Sequence, residues 1–158
     1  MNRGASVFLR VVLVLIAIGA AAFLLWEPHT EGRNAHATLF AIYFQDPFLA
    51  YAYVGSIPFF IGLYQAFQVL GRTGRSAEFS AATVRSLRVI RYCALAIVAF
   101  VVVGEVFIMA NRGEDHTGGV AMGVLITFAS IVVATATALL ERALQHAVNM
   151  KSEIDLTV

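Results

Sequence analysis

Residues 11–26 read VVLVLIAIGAAAFLLW, a run without a single charged side chain. With residues 7–10 the run reaches about 20 residues, enough to cross a hydrocarbon core of roughly 30 Å as a helix. A cleaved signal peptide is the competing interpretation, because Arg3 and Arg10 precede most of the run. Signal peptides have apolar runs of only about 7–15 residues and a small-x-small cleavage site, which is missing here. We therefore predict a membrane helix.

Three more apolar stretches follow. The second span begins at Asp46-Pro47, an acidic cap followed by proline at the first helical position, where the missing N–H costs nothing. Pro58 lies inside that span and predicts a kink. The predicted fold is all-α: residues 1–158 form one membrane domain, an integral four-helix bundle, with spans at about 7–26, 47–70, 92–110 and 118–140 and a tail at 141–158.

The composition favours lipid as the solvent around this fold. The chain is 59% hydrophobic and 13% charged, with a mean hydropathy of +0.79, whereas soluble domains carry roughly 25% charged residues. A soluble fold of this size would expose large apolar patches. The composition excludes a disordered chain and a free cytoplasmic enzyme, and the single cysteine, Cys93, excludes a disulfide framework.

The basic residues lie mostly on one side of the predicted spans. Two of the 11, Arg33 and Arg112, fall in the loops after the first and third spans. The others flank the opposite ends of the spans: Arg3, Arg10, Arg72, Arg75, Arg85, Arg88, Arg91, Arg142 and Lys151. Because short cytoplasmic loops carry the excess of Lys and Arg, we predict that both termini and the central loop are cytoplasmic. Residues 27–45 and 111–117 should face outward.

The central loop contains a predicted helix. Residues 71–92 read GRTGRSAEFSAATVRSLRVIRY, in which Ser80 is a good N-cap. After it, apolar residues follow one helical stripe and Arg85, Arg88 and Arg91 follow another, which is typical of an amphipathic helix at a membrane surface. These arginines either fix the topology and contact lipid phosphates or form a docking face for an acidic partner. The patch is short and lacks interleaved aromatics, so we expect no direct nucleic-acid binding.

The tail, ERALQHAVNMKSEIDLTV, is predicted to continue the fourth helix for about two turns, because Leu140, Leu144 and Val148 share one helical face. After Met150 the pattern weakens. This final segment is either a frayed terminus or a short motif that a partner groove captures in an extended form.

Glu105 is the one carboxylate well within a predicted span, about 8 Å from its outer end. Intramembrane acids are costly and by default functional. Three interpretations stay open: a structural hydrogen bond to a neighbour such as Tyr53, Ser56 or Thr127, a cation or proton site, or an interfacial residue that reaches Arg112. Gln65 and Gln68 add a polar face to span two, which is more typical of contacts between helices than of a substrate site.

Small residues form a stripe along span four: Gly119, Gly123, Thr127, Ser130 and Ala134. Such a stripe lets two backbones approach closely, either within the bundle or between the copies of a homo-oligomer.

Signatures of catalysis and metal binding are missing from the sequence. It has no phosphate-binding glycine loop and no nucleophile elbow. Histidines and carboxylates occur together in the outer loops, but without a motif such as H-E-x-x-H. We expect no enzyme, no cofactor and no metal site.

Four segments together resemble the bacterial membrane proteins of the domain of unknown function 2975 family. They are DPFLAYAYVGSIPFFIGLYQAFQVL (46–70), FSAATVRSLRVIRYCA (79–94), TFASIVVATATALLERALQHAV (127–148) and KSEIDLTV (151–158). The resemblance implies four membrane helices, a bacterial cytoplasmic (inner) membrane location and no established activity. Members are often encoded beside a small helix-turn-helix regulator. If the ending is a family signature, Glu153, Asp155, Leu156 and Val158 are candidates for a partner contact.

Two functions follow as expectations. The preferred one is a non-enzymatic regulatory or sensory membrane partner of a cytoplasmic protein, which uses the arginine face and the tail. The alternative is a small-molecule or ion binding or permeation protein that acts as a homo-oligomer. Its candidate polar site is Glu105, Gln65, Gln68, Tyr53 and Ser56.

Overall fold

Four helices make up the part of the chain that the computed structural model describes. It describes residues 3–26, 47–72, 80–110 and 116–156, with side chains for 4–26, 49–72, 80–110 and 119–150. The helices are α1 (Arg3–Trp26), α2 (Pro47–Arg72), α3 (Ala81–Ala110) and α4 (His116–Leu156). All four are long and apolar enough to cross a membrane, and the described ranges contain no strand. The predicted all-α four-helix fold is confirmed.

The packing order follows the order of the helices in the chain. α3 and α4 share the most extensive interface, α2 packs on α3, and α1 packs on α2. We call the end at which α1 begins, α2 ends and α3 begins the basic end, because it carries the arginines at 72, 85, 88, 91 and 142. The opposite end is the far end.

The bundle buries few apolar side chains and exposes many large ones. Among the described residues the buried apolar side chains are Val84, Leu87, Ala94 and Ala134. Bulky residues point outward: Trp26 is 73% exposed and Phe128 is 69% exposed. This pattern suits a lipid environment, where no hydrophobic force drives large side chains inward and small residues let helices approach closely.

α3 begins where the sequence predicts. The Thr83 N–H lies 3.3 Å from the Ser80 hydroxyl and 2.9 Å from the Ser80 carbonyl, so Ser80 caps the helix. The structure differs in one respect, since the amphipathic segment is the first three turns of α3 and not a separate helix along a membrane surface. The reason is packing: Val84 and Leu87, on its apolar stripe, are 3% and 6% exposed and are buried within the protein.

α2 begins at Pro47, as predicted, and continues through Pro58 to Arg72. Its two ends hold α1 in place. The Ser6 hydroxyl donates to the Leu70 carbonyl at 2.7 Å at the basic end, and the Tyr53 hydroxyl donates to the Leu24 carbonyl at 2.8 Å at the other end.

α4 is the longest helix. Its 41 residues correspond to about 60 Å, twice the roughly 30 Å of a hydrocarbon core. The prediction that the fourth helix continues past its apolar span is confirmed. The helix reaches Leu156, so nearly all of the tail is helical backbone, which differs from the extended form that a partner groove would capture by strand addition.

Candidate functional site

The α3–α4 interface is built on a stripe of small residues. On α4, Gly123, Ser130 and Ala134 are buried, and the same stripe continues through Thr137 to Glu141. Thr127 is half-buried and Gly119 is exposed. The buried part of the stripe packs within the bundle. The close approach of the backbones explains how two carboxylates on this interface, Glu105 and Glu141, come into contact with the facing helix.

Glu141 sits between two arginines at the basic end. Its Oε1 accepts a hydrogen bond from Arg88 Nε at 2.7 Å, and its Oε2 lies 2.9 Å from Arg91 Nη1. The second contact is an ion pair without hydrogen-bond alignment. The Glu141 side chain is 9% exposed, against 52% for Arg88 and 26% for Arg91. This charge cluster joins α3 to α4, and its carboxylate is shielded from solvent.

A second polar network joins α2 to α3 at the same end. Arg72 donates to the Ala82 carbonyl at 3.2 Å and to the Ser86 hydroxyl at 3.0 Å. Its other Nη atom donates to Gln68 Oε1 at 3.1 Å, and Gln68 in turn donates to the Tyr64 hydroxyl at 2.7 Å. Three helices are thus connected by arginine side chains at the basic end.

Of the arginines in the predicted partner surface, only some are exposed and without an ion pair in the described part of the chain. Arg85 is exposed, whereas Arg88 and Arg91 are held by Glu141, with half of the Arg88 side chain still exposed. Arg142 is exposed beside the cluster. The side chains of Glu153, Asp155, Leu156 and Val158 lie outside the described residues, although the backbone of 151–156 is helical.

Glu105 lies against α4 near the far end. Its carboxyl group occupies the space that a side chain at Gly123 would fill: a Cβ there would lie 2.7 Å from Glu105 Cδ and overlap an oxygen. Gly123 is therefore the residue that admits the acid to the interface. Within the described part of the chain, no side chain forms an ion pair or a hydrogen bond with this carboxyl group.

The candidate polar site of the sequence analysis does not form one site. The Ser56 hydroxyl donates to the Tyr53 carbonyl at 2.7 Å, and the Tyr53 hydroxyl donates to Leu24, so the two expected partners of Glu105 donate elsewhere. Gln68 belongs to the network at the basic end. Gln65 is half-buried on α2 near that end. Of the two other expected partners, Thr127 is half-buried on α4, and Arg112 lies outside the described residues.

A large cavity lies between the helices and includes Glu105. Its volume is about 790 Å³, and all four helices contribute to its lining. The walls are almost entirely apolar, and Ser56, Ser130 and Glu105 are among the few polar residues. Tyr51 and Phe100 form part of the wall, with ring centroids 5.5 Å apart, and the Tyr51 hydroxyl donates to the Phe100 carbonyl at 2.6 Å.

Glu141 is the residue that sequence reasoning missed. The small-residue stripe of α4 extends by one further helical step from Thr137 to Glu141, which places an acid on the face that meets α3. On α3, Arg88 and Arg91 are three residues apart and share a face. An acid on the stripe of α4 and two arginines on one face of α3 were visible in the sequence. Their positions within each helix do not show how α3 and α4 are aligned, so the contact between them could not be predicted.

Metal ligands are not grouped in the described ranges: no three His, Cys, Asp or Glu side chains lie together there. The histidines and carboxylates of residues 27–46 and 111–115 lie outside those ranges.

Comparisons with known proteins agree with this architecture. An uncharacterized membrane protein, YoaS, from Bacillus subtilis (strain 168) is 38% identical over 160 residues, and the match covers the whole of both chains. No solved structure matches the chain. The family model described as "Protein of unknown function (DUF2975)" matches residues 26–158. The four apolar helices and these two matches agree, and we conclude that the chain is a membrane protein that belongs to the DUF2975 family.

Proposed function

We propose that this protein is a non-enzymatic regulatory or sensory membrane partner of a cytoplasmic protein. The observation that carries the proposal is the charge cluster at the basic end. Arg88 and Arg91 fix the first turns of α3 on α4 through Glu141. They do so where α4 continues as a helix beyond the apolar span, to Leu156. The result is a fixed surface outside the bilayer core.

The charge of this surface indicates the chemistry of its partner. Arg85, Arg88, Arg91 and Arg142 lie at this end, and Glu141 is the carboxylate that contacts them in the described part of the chain. Among the described residues one acid offsets one of these four positive charges, so the described part of this surface is basic. An acidic face on a cytoplasmic protein is the complementary partner, because complementary charge promotes association and selects the partner.

The orientation of the chain is part of the proposal. We place the basic end and both termini in the cytoplasm of a bacterial inner membrane, supported by the distribution of nine basic residues against two. Reporter fusions after Arg33, Arg75, Arg112 and Val158 should report outside, inside, outside and inside. The opposite side at any of these positions would overturn the orientation.

The partner is tested by affinity capture from native membranes with an internal tag. Three variants are compared with the intact chain: deletion of 151–158, Arg85→Glu, and Gln145→Ala as a control. Gln145 is exposed on α4 and bonds to Asn149 at 3.0 Å, so its loss should leave capture unchanged. We expect the deletion or Arg85→Glu to remove one cytoplasmic protein that the intact chain and the control both recover.

Two outcomes would overturn the proposal. One is recovery of the same proteins by all four forms, and the other is recovery of nothing above background by the intact chain. If only Arg85→Glu loses the partner, the arginine face carries the contact and the tail does not.

A further inference from the structure

The cavity described above has the size of a ligand site. Its volume of about 790 Å³ falls within the roughly 300–1,000 Å³ of small-molecule sites in proteins. It lies between α2, α3 and α4, and Leu13 and Leu24 of α1 also line it. Its apolar walls suit an apolar molecule that arrives through the bilayer.

The charge in this cavity limits what can occupy it. Glu105 is the one acidic or basic side chain among the described residues that line the cavity, and it has neither an ion pair nor a hydrogen bond in that part of the chain. A carboxylate in apolar surroundings is costly unless an opposite charge or a hydrogen-bond donor compensates it. A lipid acyl chain offers neither.

A metal ion does not fit the same surroundings. Hard cations such as Ca²⁺ and Mg²⁺ need about six or more oxygen ligands, whereas the lining residues that the structure describes supply one carboxylate and few other polar groups. A cation that carries its own apolar surface does fit, because it brings positive charge to Glu105 and apolar area to the walls.

Aromatic rings add a second preference for positive charge. Tyr51, Phe59 and Phe100 line the cavity. The Tyr51 ring is held in place by its hydrogen bond to the Phe100 carbonyl at 2.6 Å, and it packs against Gly104, the residue before Glu105, where a Cβ would lie 3.4 Å away. Ring faces attract organic cations, most strongly where water is excluded.

We propose that this cavity binds a hydrophobic organic cation, such as a quaternary ammonium or phosphonium compound. Its positive charge pairs with the Glu105 carboxylate, and its apolar body lies against the aromatic walls. Gly123 is part of the site, since it leaves room for the carboxyl group at the cavity wall. The inference concerns the far half of the bundle and does not depend on a cytoplasmic partner.

The test uses the full chain in lipid nanodiscs and labelled tetraphenylphosphonium as the probe, with empty nanodiscs as the background. We expect saturable binding to the intact chain. Glu105→Gln keeps the shape of the side chain and removes the charge, so binding should weaken at least about tenfold, which corresponds to about 1.4 kcal/mol. Thr135→Ala is the control, because Thr135 is exposed on α4, is not among the residues that line the cavity, and donates its hydroxyl to the Ile131 carbonyl at 2.9 Å.

A second probe decides between charge and general hydrophobicity. Labelled tetraphenylborate has nearly the same shape as tetraphenylphosphonium and the opposite charge, so in separate samples without the cation it should show no saturable binding to the intact chain. This measurement needs no variant and remains decisive if Glu105→Gln fails to fold. The proposal is overturned if the intact chain shows no saturable binding of tetraphenylphosphonium, if tetraphenylborate alone binds as tightly as tetraphenylphosphonium, or if Glu105→Gln binds the cation as tightly as the intact chain.

Discussion

Two carboxylates on the same helix–helix interface have opposite surroundings. Glu141, at the basic end, lies between Arg88 and Arg91, with oxygen–nitrogen distances of 2.7 and 2.9 Å. Glu105, near the far end, lies against the backbone of Gly123 and lines an apolar cavity, with no ion pair in the described structure. Glu141 thus joins two helices through ion pairs, whereas Glu105 has no charged partner among the described residues.

The difference separates structural from functional use of charge within one interface. A shielded acid that is compensated by two cations fixes geometry, and removing either side leaves charge without a partner. An uncompensated acid in an apolar cavity does not stabilise the fold, and acids within membrane helices are by default functional. We therefore expect changes at Glu141 to affect stability first, and changes at Glu105 to affect ligand binding first.

The largest expected effect on stability comes from a substitution that fills the space occupied by the Glu105 side chain. Gly123→Leu places a branched side chain where a Cβ alone would overlap the Glu105 carboxyl group. The α3–α4 interface must then separate or the acid must move. Overpacking typically lowers the free energy of unfolding by about 1–3 kcal/mol, and we expect a decrease at or above the upper end of that range. Thermal unfolding in detergent measures it.

A matched glycine and a double variant sharpen this prediction. Gly119→Ala should have little effect, because its Cβ would lie at an ordinary 3.7 Å from Ile108 Cδ1. Gly123→Ala should cost more than Gly119→Ala, and Glu105→Ala should restore part of that loss in the double variant. Equal effects of the two glycine changes would show that Glu105 does not pack on Gly123.

Glu141→Gln should have the next largest effect on stability. It keeps the size of the side chain but removes the charge that compensates Arg88 and Arg91. We therefore expect the free energy of unfolding to fall by about 1–3 kcal/mol. Thermal unfolding checks it, with Gln145→Ala as the exposed control one turn further along α4. A variant as stable as the intact protein would mean that the cluster does not hold α3 on α4.

The two arginines of the cluster should contribute unequally. The Arg91 side chain is 26% exposed and that of Arg88 is 52% exposed, and exposed ion pairs are weakened by solvent and salt. Arg91→Gln should therefore lower the melting temperature more than Arg88→Gln, and high salt should reduce the effect of Arg88→Gln more. The reverse order would show that the hydrogen bond of Arg88 to Glu141 outweighs the burial of the Arg91 contact.

The smallest expected effect concerns the contact of α1 with α2. A Cβ at Gly71 would lie 2.5 Å from Arg10 Nη2, whose guanidinium sits 5.2 Å above the Phe67 ring. Because a guanidinium can shift, Gly71→Ala should cost less than about 1 kcal/mol. Gly19→Ala is the control: nothing lies within 4 Å of its Cβ, so it should stabilise α1 by about 0.5–1 kcal/mol. A stabilising Gly71→Ala would show that Arg10 is not held there.

The helices could be predicted from the sequence because their signals are local. Four apolar runs set the spans, Ser80 marks the start of α3, and Pro47 marks the start of α2. The continuity of α3 was harder to foresee, since an amphipathic segment can bury its apolar stripe in a bilayer surface or in the protein. The burial of Val84 and Leu87 in the bundle distinguishes these two arrangements.

The site depends on how the helices are aligned, which no local pattern contains. Glu105 was identifiable as an acid within a span, and the stripe through Gly123 was identifiable on α4. Their contact requires the register between α3 and α4. Glu141 was overlooked for the same reason, because its role becomes clear only when Arg88 and Arg91 face it.

The most direct test compares the reactivity of the two carboxyl groups. Dicyclohexylcarbodiimide is an apolar reagent that enters bilayers and modifies carboxyl groups that are not held in ion pairs. After treatment of the intact protein in membranes, tandem mass spectrometry locates the adducts. We predict an adduct on Glu105, which lines the apolar cavity, and none on Glu141, which two arginines hold. Equal labelling of both acids, or labelling of Glu141 alone, would contradict the account.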